Sequence, residues 1–225
     1  MIWPEIKAKG KPESTPLVTH LQQVSLVAEK IAIGIGSDLT LARYGAILHD
    51  IGKAHPEFQR RLDEKYCTGN LPFRHEISSC LFISLFPEEI QSALIDMVIA
   101  HHKSVRLDIG DKGLLDLCQE FEPEEIFEIH ASDWEIWSNK ALDILAELGL
   151  EVKPISKQEA ETNFFQVYNY CSSTFKQKGY SNNRGLLQAA DHFASALVDK
   201  TDVYSKRLFQ KPNLNFFNRT HPLYP

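Results

Sequence analysis

Apolar residues in this chain recur at helical spacing, segment after segment, and that periodicity restricts its fold more than any other feature. Leu17, Leu21, Val24, Ala28, Ile31 and Ile35 fall at three- and four-residue steps, which puts them on one face of a helix over about 16–35. The same reading predicts a helix over 39–51, stopped at Gly52, and another over 75–86, stopped at Pro87. A fourth covers 88–102, with Glu88 and Glu89 in the first turn, where the helix dipole favours acids. Pro123 opens an acidic amphipathic stretch that reads as one helix over 123–149. Two more are predicted over 156–178 and 183–204. Sustained strand alternation is missing, although short strands near 106–118 fit the pattern. The expected fold class is all-α.

Nine histidines are set into this frame, and their placement says more than their number. His20 shares a helical stripe with Val24, Val27 and Ile31. In LHDIGKAHPEFQ an apolar helix ends on adjacent His49 and Asp50. His75 opens the third predicted helix, His101 and His102 close the fourth, and Asp191 lies in LLQAADHFASAL on the last. One buried histidine is more often a satisfied core residue than a ligand. Several imidazoles and carboxylates at the inward ends of helices must all find partners, at a cost of several kcal/mol for each that does not. Divalent metal ions satisfy them together. Imidazole nitrogen with carboxylate oxygen suits manganese, iron, cobalt, nickel or zinc better than calcium.

The order His20, His49-Asp50, His75, His101-His102, Asp191 resembles the HD superfamily of metal-dependent phosphohydrolases. Within it, the chain is similar to the HD nuclease of the CRISPR-associated nuclease–helicase of type I systems. TPLVTHLQQV, LHDIGKAHPEFQ, FRHEISS with the later AHH, and AADHFAS carry the likeness, from residue 16 to about 195. The His101-His102 doublet and Phe58-Gln59 after the His-Asp pair are its more specific parts.

That resemblance implies an HD-domain bundle with a dinuclear metal site. His20, His49, Asp50 and Asp191 would hold one divalent ion. His75, His101 and His102 would hold the second, with Asp50 as bridge. Asp50 and Lys53 would be the catalytic residues, Lys53 standing near a non-bridging phosphate oxygen. A metal-dependent nuclease acting on single-stranded DNA in CRISPR interference is the implied activity. Its implied partners are a helicase, fused or separate, and an RNA-guided surveillance complex. Residues 1–205 would form the nuclease domain, and 206–225, rich in Asn and Pro, a tail or linker toward the helicase. His55, His130, His192 and His221 are expected to do ordinary work, with a secondary contact near substrate conceivable for His192.

Other classes fit less well. The net charge of −6 disfavours a broad clamp on duplex DNA, which is usually basic. Cys67, Cys80, Cys118 and Cys171 form no Cys-x-x-Cys pair, so reduced thiols are expected rather than a thiolate zinc site. The N-terminus lacks an apolar signal core and no apolar run has membrane-spanning length, which predicts a cytoplasmic protein without membrane partners. The Gly-Lys of GAILHDIGKA is not a P-loop, because the spacing from Gly45 is wrong and Ala54 replaces the hydroxyl. Two alternatives remain: a phosphohydrolase acting on nucleotides or cyclic dinucleotides, and a catalytically silent docking module. Against the first stand the extra His75 and the His101-His102 doublet. Against the second, every ligand position is filled.

Overall fold

The computed structural model describes residues 5–11, 14–62, 71–102, 112–174 and 181–198. Among the described residues ten α-helices follow one another in this order: α1 Leu17–Ile35, α2 Leu39–Leu48, α3 Pro56–Arg61, α4 His75–Cys80, α5 Glu88–Val98, α6 Leu114–Glu120, α7 Pro123–His130, α8 Trp134–Glu147, α9 Lys157–Thr174 and α10 Asn182–Val198. Short 3-10 turns cover Ile51–Ala54 and Ile83–Leu85. Among the described residues there is no β-strand, and the fold is all-α as the periodicity predicts. An isolated bridge pairs Lys7 with Pro16. None of the described helices is long and apolar enough to cross a membrane.

Helix α1 packs along α2 and α10, and α10 and α2 both reach α5. The Ile51–Ala54 turn sits against α3, α4 and α8. Leu17, Leu21, Val24 and Ala28 of α1 are fully buried, together with Leu48, Ile51, Phe82, Leu94, Val98 and Leu187. Burying each large side chain of this kind contributes about 1.5–3 kcal/mol. The core therefore fixes α1, α2, α5 and α10 against one another.

Helix ends differ from the expected ones for physical reasons. Helix α2 starts where Asp38 accepts the Leu41 N–H at 2.9 Å, a side-chain N-cap. It stops at Leu48 rather than 51, because the His49 ring takes up the Ala46 carbonyl and Asp50 turns the chain. Helix α5 stops at Val98 rather than 102, where His101 takes up the Val98 carbonyl. Imidazoles thus occupy carbonyls that helix C-termini leave without partners. Helix α4 ends at Cys80, and only the Ile83–Leu85 turn continues toward Pro87.

The single helix expected over 123–149 is two, broken at 131–133 with Asp133 in the left-handed region (φ 53°). The break frees the Ser132 carbonyl to accept the Trp137 indole N–H at 3.0 Å. It also brings the Ser132 hydroxyl 3.1 Å from His55 Nε2. Nothing in the local sequence demands it; tertiary contacts do. The strands considered near 106–118 are replaced by helix α6 from Leu114 onward, while 106–111 lie outside the described residues. Also outside them are 175–178 and 199–204 of the last two predicted helices, Cys67, His221 and the expected tail at 206–225.

Candidate metal centre

Five elements deliver the seven predicted ligand side chains to one location. Helix α1 supplies His20, the C-terminal end of α2 supplies His49 and Asp50, and the first residue of α4 is His75. His101 and His102 follow α5, and Asp191 comes from α10. They form two groups of four that share Asp50: His20, His49, Asp50 and Asp191, and Asp50, His75, His101 and His102. Within each group the candidate ligand atoms lie within 4.8 Å of one another.

Asp50 is fully buried and offers one oxygen to each group. Its Oδ2 lies 3.0 Å from His20 Nε2 and 3.3 Å from His49 Nε2. Its Oδ1 lies 3.0 Å from His75 Nε2 and 3.5 Å from His101 Nε2. Asp191 also spans both groups, which the sequence pattern does not reveal. Its Oδ1 is 3.3 Å from His20 Nε2, and its Oδ2 is 4.0 Å from His102 Nε2.

Ring orientation is set from behind. His49 Nδ1–H donates to the Ala46 carbonyl at 2.6 Å, and His101 Nδ1–H donates to the Val98 carbonyl at 2.7 Å. Both rings therefore aim an Nε2 lone pair at Asp50. His49 Nε2, His75 Nε2, His101 Nε2 and Asp50 Oδ1 are all buried without a hydrogen-bond partner. Four such atoms at and around one carboxylate are costly unless cations join them. This donor set fits divalent transition metals, through imidazole nitrogen and carboxylate oxygen. His49 and His101 also have the backbone support behind the ligating ring that metal sites use.

Electrostatics sort the same groups. Burial works against the Asp50 carboxylate, but the charges of His49 and Lys53 overcome it and hold its pKa well below the usual range. Asp191 is lowered too: burial opposes ionisation, and the hydrogen bond from His20 prevails. Burial disfavours protonation of His20, yet hydrogen bonds to Asp191 and Asp50 raise its pKa. His101 is raised by Asp50 against the same burial penalty. Burial lowers His49, and it lowers His102 to about 3, with His101 adding to the effect. The centre thus favours charge at Asp50 and Asp191, while burial favours neutral rings at His49 and His102.

Lys53 is 9% exposed, with Nζ 2.6 Å from Asp50 Oδ2 and 5.4 Å from the Phe58 ring centre. Gln59 secures the same turn: its Nε2 donates to the carbonyls of Lys53 and Lys7. The turn is clamped to α4 by Ser79, whose hydroxyl donates to the His49 carbonyl and accepts the Gly52 N–H, both at 2.8 Å. Gly52 is required there, since a Cβ would lie 2.1 Å from the His75 carbonyl oxygen.

The other histidines keep ordinary structural work. His55 Nδ1 caps α3 by accepting the Glu57 N–H at 3.0 Å. His130 Nε2 accepts the Arg74 N–H at 2.9 Å while its Nδ1–H donates to the Ile126 carbonyl. His192 is exposed on α10. Two residues that the sequence pattern passes over also reach the centre. Gln188, one turn before Asp191, donates to the His101 carbonyl at 2.7 Å. Glu76 places Oε2 3.4 Å from His75 Nδ1. Glu76 lies in FRHEISS and Gln188 in LLQAADHFASAL, but the signal for their part in the centre is spatial.

Comparison with known proteins agrees with this geometry. The family described as HD domain matches residues 17–158. The chain is 30% identical over 92 residues to Ribonuclease Y of Fusobacterium nucleatum subsp. nucleatum, a stretch covering 41% of this chain and 15% of that protein. The matched stretch is thus a small part of that relative's length. No solved structure matches.

Proposed function

The chain belongs to the HD domain family, whose members carry metal-dependent hydrolase chemistry, and on that premise we propose that it cleaves phosphodiester bonds in single-stranded DNA at a two-ion centre. The observation that carries this reading is the division of Asp50, with Oδ1 facing His75 and His101 and Oδ2 facing His20 and His49. His20, His49, Asp50 and Asp191 would hold one ion, and Asp50, His75, His101 and His102 the other. Manganese, nickel, cobalt, iron and zinc all suit these donors. Two such ions supply Lewis acidity toward phosphate oxygens and lower the pKa of water.

The chain's own groups divide the remaining work. Asp50 fixes the spacing of the two groups, and the carbonyls behind His49 and His101 hold the rings in the one tautomer that presents Nε2 inward. Lys53 neutralises charge building on a non-bridging phosphate oxygen by turning from Asp50 toward it. The exposed sides are His75 and His102, 14% and 33% by side chain, against 0% for His49 and His101. Substrate therefore approaches a recessed floor past His75 and His102. A flexible strand reaches such a floor more readily than a rigid duplex. In this reading a helicase and an RNA-guided CRISPR complex supply the strand.

The likeness to Ribonuclease Y favours a second reading, in which the strand is RNA. One experiment separates the readings: manganese-loaded protein is incubated with matched single-stranded DNA, single-stranded RNA, linear duplex DNA and nucleotides, with Asp50→Ala as control. Cutting of single-stranded DNA over duplex supports the proposal. Cutting of RNA alone selects the second reading. Hydrolysis of nucleotides with no strand cut points to a nucleotide phosphohydrolase, and metal binding without any hydrolysis points to a docking module.

A further inference from the structure

Three inward-facing imidazoles meet Asp50 through Nε2 atoms that are buried without hydrogen bonds, but they are not supported alike. His49 and His101 each follow a helix and lean on the carbonyl three residues back. His75 cannot, because it is the first residue of α4 and no helical carbonyl precedes it. Its Nδ1 faces a carboxylate instead, with Glu76 Oε2 at 3.4 Å. Glu76 is 2% exposed. It is gripped by Arg74, whose Nη2 lies 2.6 Å from Oε1 and whose Nε lies 3.2 Å from Oε2. The same guanidinium reaches the Lys112 carbonyl at 2.8 Å, and the Arg74 backbone N–H is bound by His130. A buried carboxylate held this firmly is placed for one task.

We propose that Glu76 is a positioning residue for the second ion: it accepts the Nδ1–H of His75, fixes that ring in the tautomer with a free Nε2, and makes it a stronger donor. Arg74 holds the carboxylate in place. The inference rests on the two-ion reading above, but its first consequence concerns the metal-free protein. There, His75 already carries its proton on Nδ1. A carboxylate behind a ligating imidazole raises its basicity, and loss of such support typically weakens metal binding by about 10–100-fold. Among the described residues, the polar side-chain contacts of Glu76 are with Arg74 and His75, so the group of His20, His49, Asp50 and Asp191 should keep its affinity.

The test uses Glu76→Gln, nearly the same shape without the charge, and Glu76→Asp, which restores charge on a shorter stem. Ring-nitrogen NMR on histidine-labelled, metal-free wild type should show His75 protonated at Nδ1, and Glu76→Gln should shift it toward Nε2–H. Manganese titration calorimetry should show one of two binding classes weakened at least tenfold in Glu76→Gln, partly recovered in Glu76→Asp, with the other class unchanged. An Nε2–H tautomer of His75 in the wild type overturns the proposal, as does an unchanged second class in Glu76→Gln. A wild type that takes a single ion defeats the two-ion reading, and the ring-nitrogen shifts then decide Glu76 alone. If Glu76→Gln does not fold, the wild-type tautomer decides.

Discussion

The Lys53 ammonium stands 2.6 Å from Oδ2 of Asp50, the shortest contact that carboxylate makes. A fixed positive charge in that place competes with a metal ion for the same oxygen, since each stabilises the ionised carboxylate. In the two-ion reading proposed above, the lysine would aid turnover and oppose metal affinity.

Lys53→Met keeps the apolar stem beside Phe58 and removes the charge. Manganese affinity should rise by roughly threefold to tenfold, as the competing cation is lost. Turnover should fall on the order of 10²-fold, as expected for removing one electrostatic partner of the transition state. Calorimetry with single-turnover kinetics checks both. A variant with normal turnover would show that Lys53 is only a counter-ion for Asp50.

Gly52→Ala tests the clamp between the His-Asp turn and α4. The added Cβ would meet the His75 carbonyl oxygen at 2.1 Å and the Ser79 nitrogen at 2.6 Å. Both are backbone atoms, so the turn and α4 must separate. A loss of about 3 kcal/mol or more is expected, read as a lower denaturant midpoint. Metal binding should weaken as well, because the movement carries His75 away from Asp50. A stability within error of wild type would mean that the turn and α4 are not packed as described.

His101→Ala and His192→Ala belong to similar-looking doublets yet should behave differently. His101 is buried, with Nε2 3.5 Å from Asp50 Oδ1, whereas His192 is exposed on α10. Steady-state cleavage and metal content should collapse for His101→Ala, with turnover down on the order of 10²-fold. His192→Ala should stay within about 0.5 kcal/mol of wild-type stability, as surface changes do, and retain its metal. Equal losses in the two would place His192 in the site.

Periodicity places the seven side chains of the centre at helix ends or on inward stripes, and the resemblance to the HD superfamily singles them out as a set. Asp50 and His49 read as adjacent polar residues closing an apolar run, and His20 as a histidine on an apolar face. What periodicity does not carry is any feature made by tertiary contact. The break at Asp133 lies in a stretch with no glycine or proline, and the Ser132 contacts with His55 and Trp137 account for it. Asp191 reaches both groups from α10, which packs against both α1 and α5, a relationship with no local signature. Glu76 reads from the sequence as one more acid in the first turn of a helix. Burial and Arg74 give it another role.

The last expectation concerns acid. His55 and His130 are both buried and neutral: burial pushes His55 down to about 3, with His130 adding to it, and pushes His130 down to about 4. In the unfolded chain both titrate near 6.5. The unfolded state therefore takes up protons first as pH falls. The stability these two residues allow is complete above about pH 6.5 and declines as pH falls, toward about pH 4 for His130 and about pH 3 for His55, by up to roughly 1.4 kcal/mol per pH unit for each group. Carboxylates such as Asp191, also lowered, add their losses further down in pH, and His20 and His101, both raised, act in the opposite sense. The clean measurement is consequently a difference. His55→Asn keeps an N-cap for α3, since Asn is among the best, and removes the titration. Urea unfolding of metal-free protein between pH 6 and pH 4.5 should show wild type losing about 1.4 kcal/mol per pH unit more than His55→Asn. Parallel pH slopes for the two proteins would mean that His55 is not held neutral by its burial between the His-Asp turn and Ser132.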